Sequence, residues 1–176
     1  MPALPDGRSA LLVQPRQTVP GFALADASGA IIRLRAFRQR RPVVIALLHT
    51  TSCPDCRAWL STLASTREEL DYLRVQPLLV LPDDSDALAT LQQELDPPGN
   101  LLSDPGHTTR GSLLRVEEPQ ASECVALIAV GRYNEFLDAW VAAEPSQGPS
   151  MADLIATFAF AEQEDCACGL PIWPRA

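Results

Sequence analysis

No stretch of this sequence approaches the roughly 18–20 consecutive apolar residues that a membrane-crossing helix needs, so no membrane partner is expected. Asp6 and Arg8 stand where the apolar core of a secretory leader would begin, and the expectation is a soluble, cytoplasmic protein. Positive charge is scarce as well: 14 Lys and Arg face 22 Asp and Glu, for a formal net charge of −8. Clustered cations are what grip a phosphate backbone, so nucleic acid is excluded as a partner. There is no glycine-rich phosphate loop, and no organic cofactor is implied. The five cysteines are odd in number and unevenly spread, unlike the even framework of a small disulfide-stapled scaffold. In a reducing compartment, paired cysteines are more often redox-active or metal-binding than structural.

What is present is a chain of 176 residues, 47% hydrophobic, long enough for one domain with a real core. Residues 1–17, with Pro2, Pro5, Gly7 and Pro15, read as an extended lead-in. Two short apolar runs around Asp26 and Gly29 predict a hairpin that caps the sheet. Val43 to Leu48 is continuously apolar, the pattern of a strand covered on both faces. Trp59, Leu60, Leu63, Leu70 and Leu73 keep helical spacing and predict one helix from Asp55 to Leu73, with a thinner stripe over 61–69. Val75 to Leu81 is again β-like, which makes a parallel strand–helix–strand crossover. Leu88, Leu91 and Leu95 mark a helix opened near Ser85 and stopped by Pro97, Pro98 and Gly99.

Residues 103–122 suggest only a turn, a helical turn and a loop. Val125 to Val130 and Phe136 to Val141 flank a turn sequence and predict an antiparallel hairpin. Ser150 with Asp153 resembles a capping box for a last helix carrying Met151, Leu154, Ile155 and Phe158 on its apolar face. Residues 164–176 read as an irregular tail, pinned to the body by Trp173. Parallel strands first, an antiparallel hairpin second and a closing helix describe an α/β sandwich.

The chemistry concentrates at Cys53-Pro54-Asp55-Cys56, which follows the apolar strand and opens the long helix. A helix N-terminus presents unpaired N–H groups and partial positive charge, which favour the thiolate of Cys53. Two intervening residues bring the sulfurs within disulfide reach, so Cys53 is expected to attack and Cys56 to resolve. Pro54 suits an early helical position, because its missing N–H would have no intrahelical partner. A lone C-x-x-C is also half of a four-ligand zinc site; the strand–turn–helix setting favours redox chemistry, and no metal is assigned. His49, at the strand end, could act as base or charge partner, or be a half-buried histidine with a satisfied hydrogen bond. Thr50, Thr51 and Ser52 shape the turn. Cys124, where the late strand begins, is either a third thiol near the dithiol or a small core residue. Cys166-Ala167-Cys168 is a possible secondary redox pair: a strained C-x-C bridge could relay electrons, the two thiols could hold a metal, or they could do nothing.

Together, Pro20 to Gly29, Pro42-Val43-Val44-Ile45 through Cys56, and Leu102-Ser103-Asp104-Pro105-Gly106 resemble the thioredoxin-like superfamily, and more closely its peroxiredoxin-like (AhpC/TSA, redoxin) branch. The resemblance implies a thioredoxin-like three-layer sandwich over residues 18–163, with a mixed central sheet, flanking helices and an N-terminal β extension. Laid against a thioredoxin, Cys53 and Cys56 fall on the nucleophilic and resolving cysteines, and Leu47 on the buried aspartate. Laid against the peroxiredoxin P-x-x-x-T-x-x-C pattern, the peroxidatic cysteine falls on Cys56, with His49 and Cys53 in the Pro and Thr slots, or on Cys53, with Ala46 and Thr50 there. No arginine stands at the start of the late strand, where peroxidases of this family carry one.

The implied activity is thiol–disulfide oxidoreduction, with thiol peroxidase and antioxidant chemistry as the alternative, and a redox-inactive or metal-binding module as a third. The implied partners are a disulfide-containing protein or small thiol substrate and an electron-donor dithiol system; a homodimer is compatible with the resemblance.

Overall fold

The computed structural model describes residues 17–114 and 124–168, with side chains described through residue 161. The lead-in through residue 16, the segment 115–123 and Trp173 lie outside the described residues.

Seven strands form one mixed sheet in the order β2-β1-β5-β4-β3-β6-β7. The N-terminal hairpin is β1 (Ala23–Asp26) and β2 (Ile31–Arg33), paired antiparallel. Its turn closes because the Asp26 carboxylate accepts the Ser28 amide at 2.8 Å and the Ala30 amide at 3.0 Å, an Asx-type turn. Strand β3 (Val43–Leu47) sits mid-sheet, parallel to β4 (Gln76–Leu81) and antiparallel to β6 (Val125–Val130). All five β3 residues are buried, as the unbroken apolar run requires of a strand packed on both faces.

The predicted long helix is two. Helix α1 (Pro54–Ser65) ends at Thr66, and α2 (Arg67–Tyr72) follows at once. At the break, Thr66 leaves helical geometry (φ −102°, ψ 17°) and its hydroxyl donates to the Leu63 carbonyl at 2.9 Å. A side-chain hydroxyl competing for helix carbonyls at the thinnest point of the apolar stripe explains the interruption. Helix α3 (Ser85–Leu95) starts from an Asp84 side-chain cap and stops at Asp96, which is left-handed at φ 41°. Gly99 follows at φ +91°, and a Cβ there would lie 2.2 Å from the Pro77 carbonyl oxygen, so only glycine lets the chain turn into the next strand.

That strand, β5 (Asn100–Ser103), has no counterpart among the expected elements, and helix α4 (Thr108–Leu113) lies in the segment 103–122, where a turn, a helical turn and a loop are expected. Strands β6 and β7 (Phe136–Ala142) form the predicted hairpin. The Ser150–Asp153 capping box is real: the Ser150 hydroxyl donates to Asp153 Oδ2 at 2.7 Å and accepts the Asp153 amide at 3.2 Å. It starts α5 (Met151–Cys168), which runs on through residues expected to be an irregular tail.

Alternating β3 side chains feed two separate cores. Val43, Ile45 and Leu47 join one layer with Leu34, Leu113 and Cys124; Val44, Ala46 and Leu48 join the other with Cys56, Leu60, Leu63, Leu88 and Phe158. Helices α1, α3 and α5 therefore cover one face, and α4 with the N-terminal segment covers the opposite one. The chain steps from β3 to β4 to β5 in one direction and then returns to place β6 on the other side of β3. The carboxyl end of β3 is thus the point where strand order reverses, which is where open α/β sheets leave a crevice for chemistry.

Candidate active site

The turn 48–53 leaves β3 at that reversal point, and Cys53 caps α1 with extended backbone (φ −67°, ψ 118°). Pro54 occupies the first helical turn as its missing donor predicts. The Cys56 amide donates to Cys53 Sγ at 3.5 Å, so the helix N-terminus points a backbone dipole at this sulfur. Cys53 is part-exposed, whereas Cys56 is fully buried, and neither is in a disulfide. Burial, reinforced by the neighbouring Cys53, pushes the Cys56 thiol up to about 12 against the opposing pull of the His49 backbone.

His49 Nδ1 lies 3.7 Å from Cys53 Sγ. The other ring nitrogen, Nε2, is buried without a hydrogen-bond partner, so the sulfur is the polar contact that orients the imidazole. His49, Cys53 and Cys56 present their ligand atoms within 4.8 Å of one another.

The other expected site residues divide. Thr50 is exposed and its hydroxyl sits 3.0 Å from that of Ser52; it is Thr51 that ties the turn down. Its amide and hydroxyl donate to the two oxygens of Asp83 at 3.0 and 2.8 Å. Cys124 is fully buried and packs in the layer on the opposite face of the sheet from Cys56, as a small core residue does. Leu47 is wholly buried among apolar side chains, so the position matching the thioredoxin aspartate is part of the core. Cys166 and Cys168 lie on the last turn of α5, and their side chains are outside the described residues.

Two arginines that hold this site, Arg57 and Arg110, belong to no motif in the sequence. Arg57, one turn into α1, donates to the Thr51 carbonyl at 3.2 Å and to Glu94 at 2.5 Å, bracing the turn against α3. Arg110, on α4, is only 3% exposed. Its guanidinium donates to the Leu48 carbonyl at 2.5 Å and to the Cys124 carbonyl, bridging the end of β3 and the start of β6 where their ladder stops at Leu47 and Ala126. An arginine does therefore reach the start of the late strand, but from a preceding helix. Asp104 fixes that helix by accepting the amides of Thr108, Thr109 and Arg110 at 3.0, 2.9 and 3.3 Å. The sequence signal was the short capping pattern from Asp104 to Thr108, visible only once α4 is known to exist.

Comparison with known proteins agrees with this architecture. Residues 15–132 match the model of the AhpC/TSA family. Among solved structures, the chain is similar to the peroxidoxin BcpB from Mycobacterium tuberculosis, with a TM-score of 0.70, 19% identity, and coverage of 84% of this chain and 97% of that one. A thiol peroxidase from Chromobacterium violaceum aligns with a TM-score of 0.66 and 22% identity, over 85% of this chain and 88% of the other. A secreted M. tuberculosis disulfide oxidoreductase homologous to E. coli DsbE aligns with a TM-score of 0.59 and 17% identity, over 79% and 95%. At these identities the structural matches establish the fold. No curated protein matches the chain.

Proposed function

The chain belongs to the AhpC/TSA family, whose chemistry is thiol-based redox, and from that premise we propose that it is a thiol–disulfide oxidoreductase in which Cys53 attacks and Cys56 resolves. The observation that carries this reading is the asymmetry of the pair. Cys53 is part-exposed at a helix N-terminus, while Cys56 is buried one turn along with its thiol pushed up to about 12. At neutral pH the buried thiol keeps its proton and cannot compete as the nucleophile.

The reaction then runs in two exchanges. Cys53 thiolate attacks one sulfur of a substrate disulfide, the substrate S–S bond breaks, and one substrate thiolate leaves while a mixed disulfide forms at Cys53. The negative sulfur that helped to hold the Cys56 proton has now been consumed, so Cys56 yields that proton more readily. His49 Nδ1, already against Cys53 Sγ, is the nearest base. Cys56 attacks Cys53 Sγ, the second substrate thiol departs, and the substrate has gained the two electrons the dithiol has lost. A donor dithiol system restores the reduced pair.

A second reading is supported by family membership and by the likeness to peroxidases. Here Cys53 thiolate takes the terminal oxygen of a hydroperoxide, an alcohol leaves, and Cys56 condenses with the sulfenic acid to give the same disulfide and water.

Trapping distinguishes the roles. Cys56→Ser should accumulate a mixed disulfide at Cys53 when challenged with a small aromatic disulfide, detected by peptide mass mapping, and Cys53→Ser should give no adduct at residue 56. An adduct at Cys56 in the Cys53→Ser protein would reverse the assignment. Consumption of hydrogen peroxide by wild type with a thiol donor, absent in Cys53→Ser, would establish the second reading.

A further inference from the structure

Three soft or borderline ligand atoms meet at the candidate active site: His49 Nδ1, Cys53 Sγ and Cys56 Sγ, all within 4.8 Å of one another. The nitrogen–sulfur distance within this group is 3.7 Å. A cation shared by a thiolate at about 2.3 Å and an imidazole at about 2.0–2.1 Å, with a bond angle near 110–120°, sets the two donors about 3.7 Å apart. The His49–Cys53 pair thus already has the spacing of two ligands in a first coordination shell, and Cys56 Sγ lies within 4.8 Å of both. We propose that the reduced protein binds one thiophilic d10 cation, Zn2+ or Cu+, through His49, Cys53 and Cys56.

Three features favour this beyond proximity. The donors come from a strand end and the first turn of the helix after it, so the short braced turn 48–53 fixes them relative to each other without help from a mobile segment. The turn is held from outside by Asp83 and Arg57, which bond Thr51 and leave the three ligand atoms unengaged by those groups. The imidazole also has no hydrogen-bond partner at Nε2, so its orientation toward the sulfurs is the one polar constraint that the described contacts place on it. Two thiolates and a neutral imidazole match the soft-ligand preference of Zn2+ and Cu+, and among the described residues the cluster contains no fourth donor. Cu+ is satisfied by three ligands; Zn2+ would complete its tetrahedron with water or an incoming thiol.

The exchange balances simply. One cation enters and whatever protons the two sulfurs hold leave to solvent, with no change of oxidation state. Because both sulfurs are then engaged, the loaded dithiol cannot form its disulfide until the cation is withdrawn, so binding would hold the site in a protected, reduced form. This inference rests on the dithiol reading only in needing both thiols reduced and close.

The test uses the full chain, reduced and freed of reductant without oxygen. Co2+ serves as the spectroscopic probe, followed by displacement with Zn2+, and by Cu+ titration against a chromophoric Cu+ chelator. The expected result is one Co2+ per chain, a thiolate-to-cobalt charge-transfer band, d–d bands of four-coordinate strength, and bleaching by one equivalent of Zn2+ or Cu+. Bleaching by only one of the two cations identifies which the site accepts. Cys53→Ser and Cys56→Ser should each abolish the band, and His49→Ala should weaken binding by about tenfold or more, while the double variant Cys166→Ser/Cys168→Ser should bind as wild type. Absence of the band in wild type whose two thiols still oxidise and reduce reversibly would overturn the metal site and leave the redox reading standing. A band that survives Cys53→Ser, or vanishes in the Cys166→Ser/Cys168→Ser protein, would move the cation to the helix end and also overturn it. Unchanged affinity in His49→Ala would remove the histidine from the site and with it the three-ligand proposal.

Discussion

Arg110 donates a hydrogen bond to the carbonyl oxygen of Leu48 at 2.5 Å, inside the molecule and directly before the histidine that contacts Cys53 Sγ. The same guanidinium reaches the Cys124 carbonyl, so one side chain stands in for the ladder that β3 and β6 no longer make. Separating two strands at their ends exposes backbone acceptors, and a buried planar cation with a fork of donors is suited to satisfy two at once. Arg110→Met keeps volume and removes the donors; it is expected to lower stability by about 3 kcal/mol, because buried carbonyls lose their partners. Urea unfolding midpoints of wild type, Arg110→Met and Arg110→Lys check this. Lysine, which offers a point charge in place of a fork, should recover only part of the loss.

Asp104 supports the same device from below. Its carboxylate accepts three successive backbone amides and the Thr108 hydroxyl at 2.8 Å, although α4 is too short to be stable alone. Asp104→Ala is expected to cost about 2 kcal/mol, toward the upper end for a helix cap because the group is buried. If α4 exists to deliver Arg110, then Asp104→Ala and Arg110→Met should be markedly non-additive, and a double-mutant cycle on unfolding free energies measures that coupling. Simple additivity would mean the two act independently.

Burial of Cys56 has a consequence for pH dependence. Its thiol is raised from 9.0 to about 12 in the folded chain, so between those values the folded protein binds a proton that the unfolded chain releases. Stability from this group is fully present below pH 9 and is lost as pH rises toward 12, with a slope approaching about 1.4 kcal/mol per pH unit for one proton. Denaturant unfolding of the reduced protein above pH 9 should show this decline, and Cys56→Ala should lack that component. Equal slopes in the two proteins would mean the thiol is not held protonated by the fold.

Much of this was legible in the sequence. The unbroken apolar run from Val43 to Leu48 announces a central strand because only a strand with both faces covered can use it, and every one of those side chains is buried. The Cys53–Cys56 pair was legible for the same local reason: a strand, a turn and Pro54 in the first helical turn define a helix start without any knowledge of distant contacts. What could not be read depends on contacts far along the chain. Strand β5 has four residues and α4 six, too few for either periodicity to emerge from background. Arg110 meets Leu48 across 62 residues of sequence, and Asp83 meets Thr51 across 32, so neither tie leaves a local pattern. The break at Thr66 is the intermediate case: the stripe thins there visibly, but whether a thinned helix bends, breaks or continues is decided by what packs against it.

Cys124 separates thiol chemistry from thiol packing within one molecule. Its side chain is fully buried in the layer on the far side of the sheet from Cys56, among residues such as Leu47, Ala126 and Leu113. A reagent can reach that sulfur only when the fold opens, whereas Cys53 is part-exposed in the native state. Alkylation of the reduced protein, followed by peptide mass mapping over time, should therefore label Cys53 ahead of Cys124, with Cys124 slower by on the order of 10³-fold or more, the ratio a typical unfolding equilibrium imposes. Adding denaturant below the unfolding midpoint should accelerate labelling of Cys124 in proportion to the unfolded population and leave that of Cys53 nearly unchanged. Rapid labelling of Cys124 without denaturant would mean that β6 detaches locally, and the core assignment of this thiol would fail.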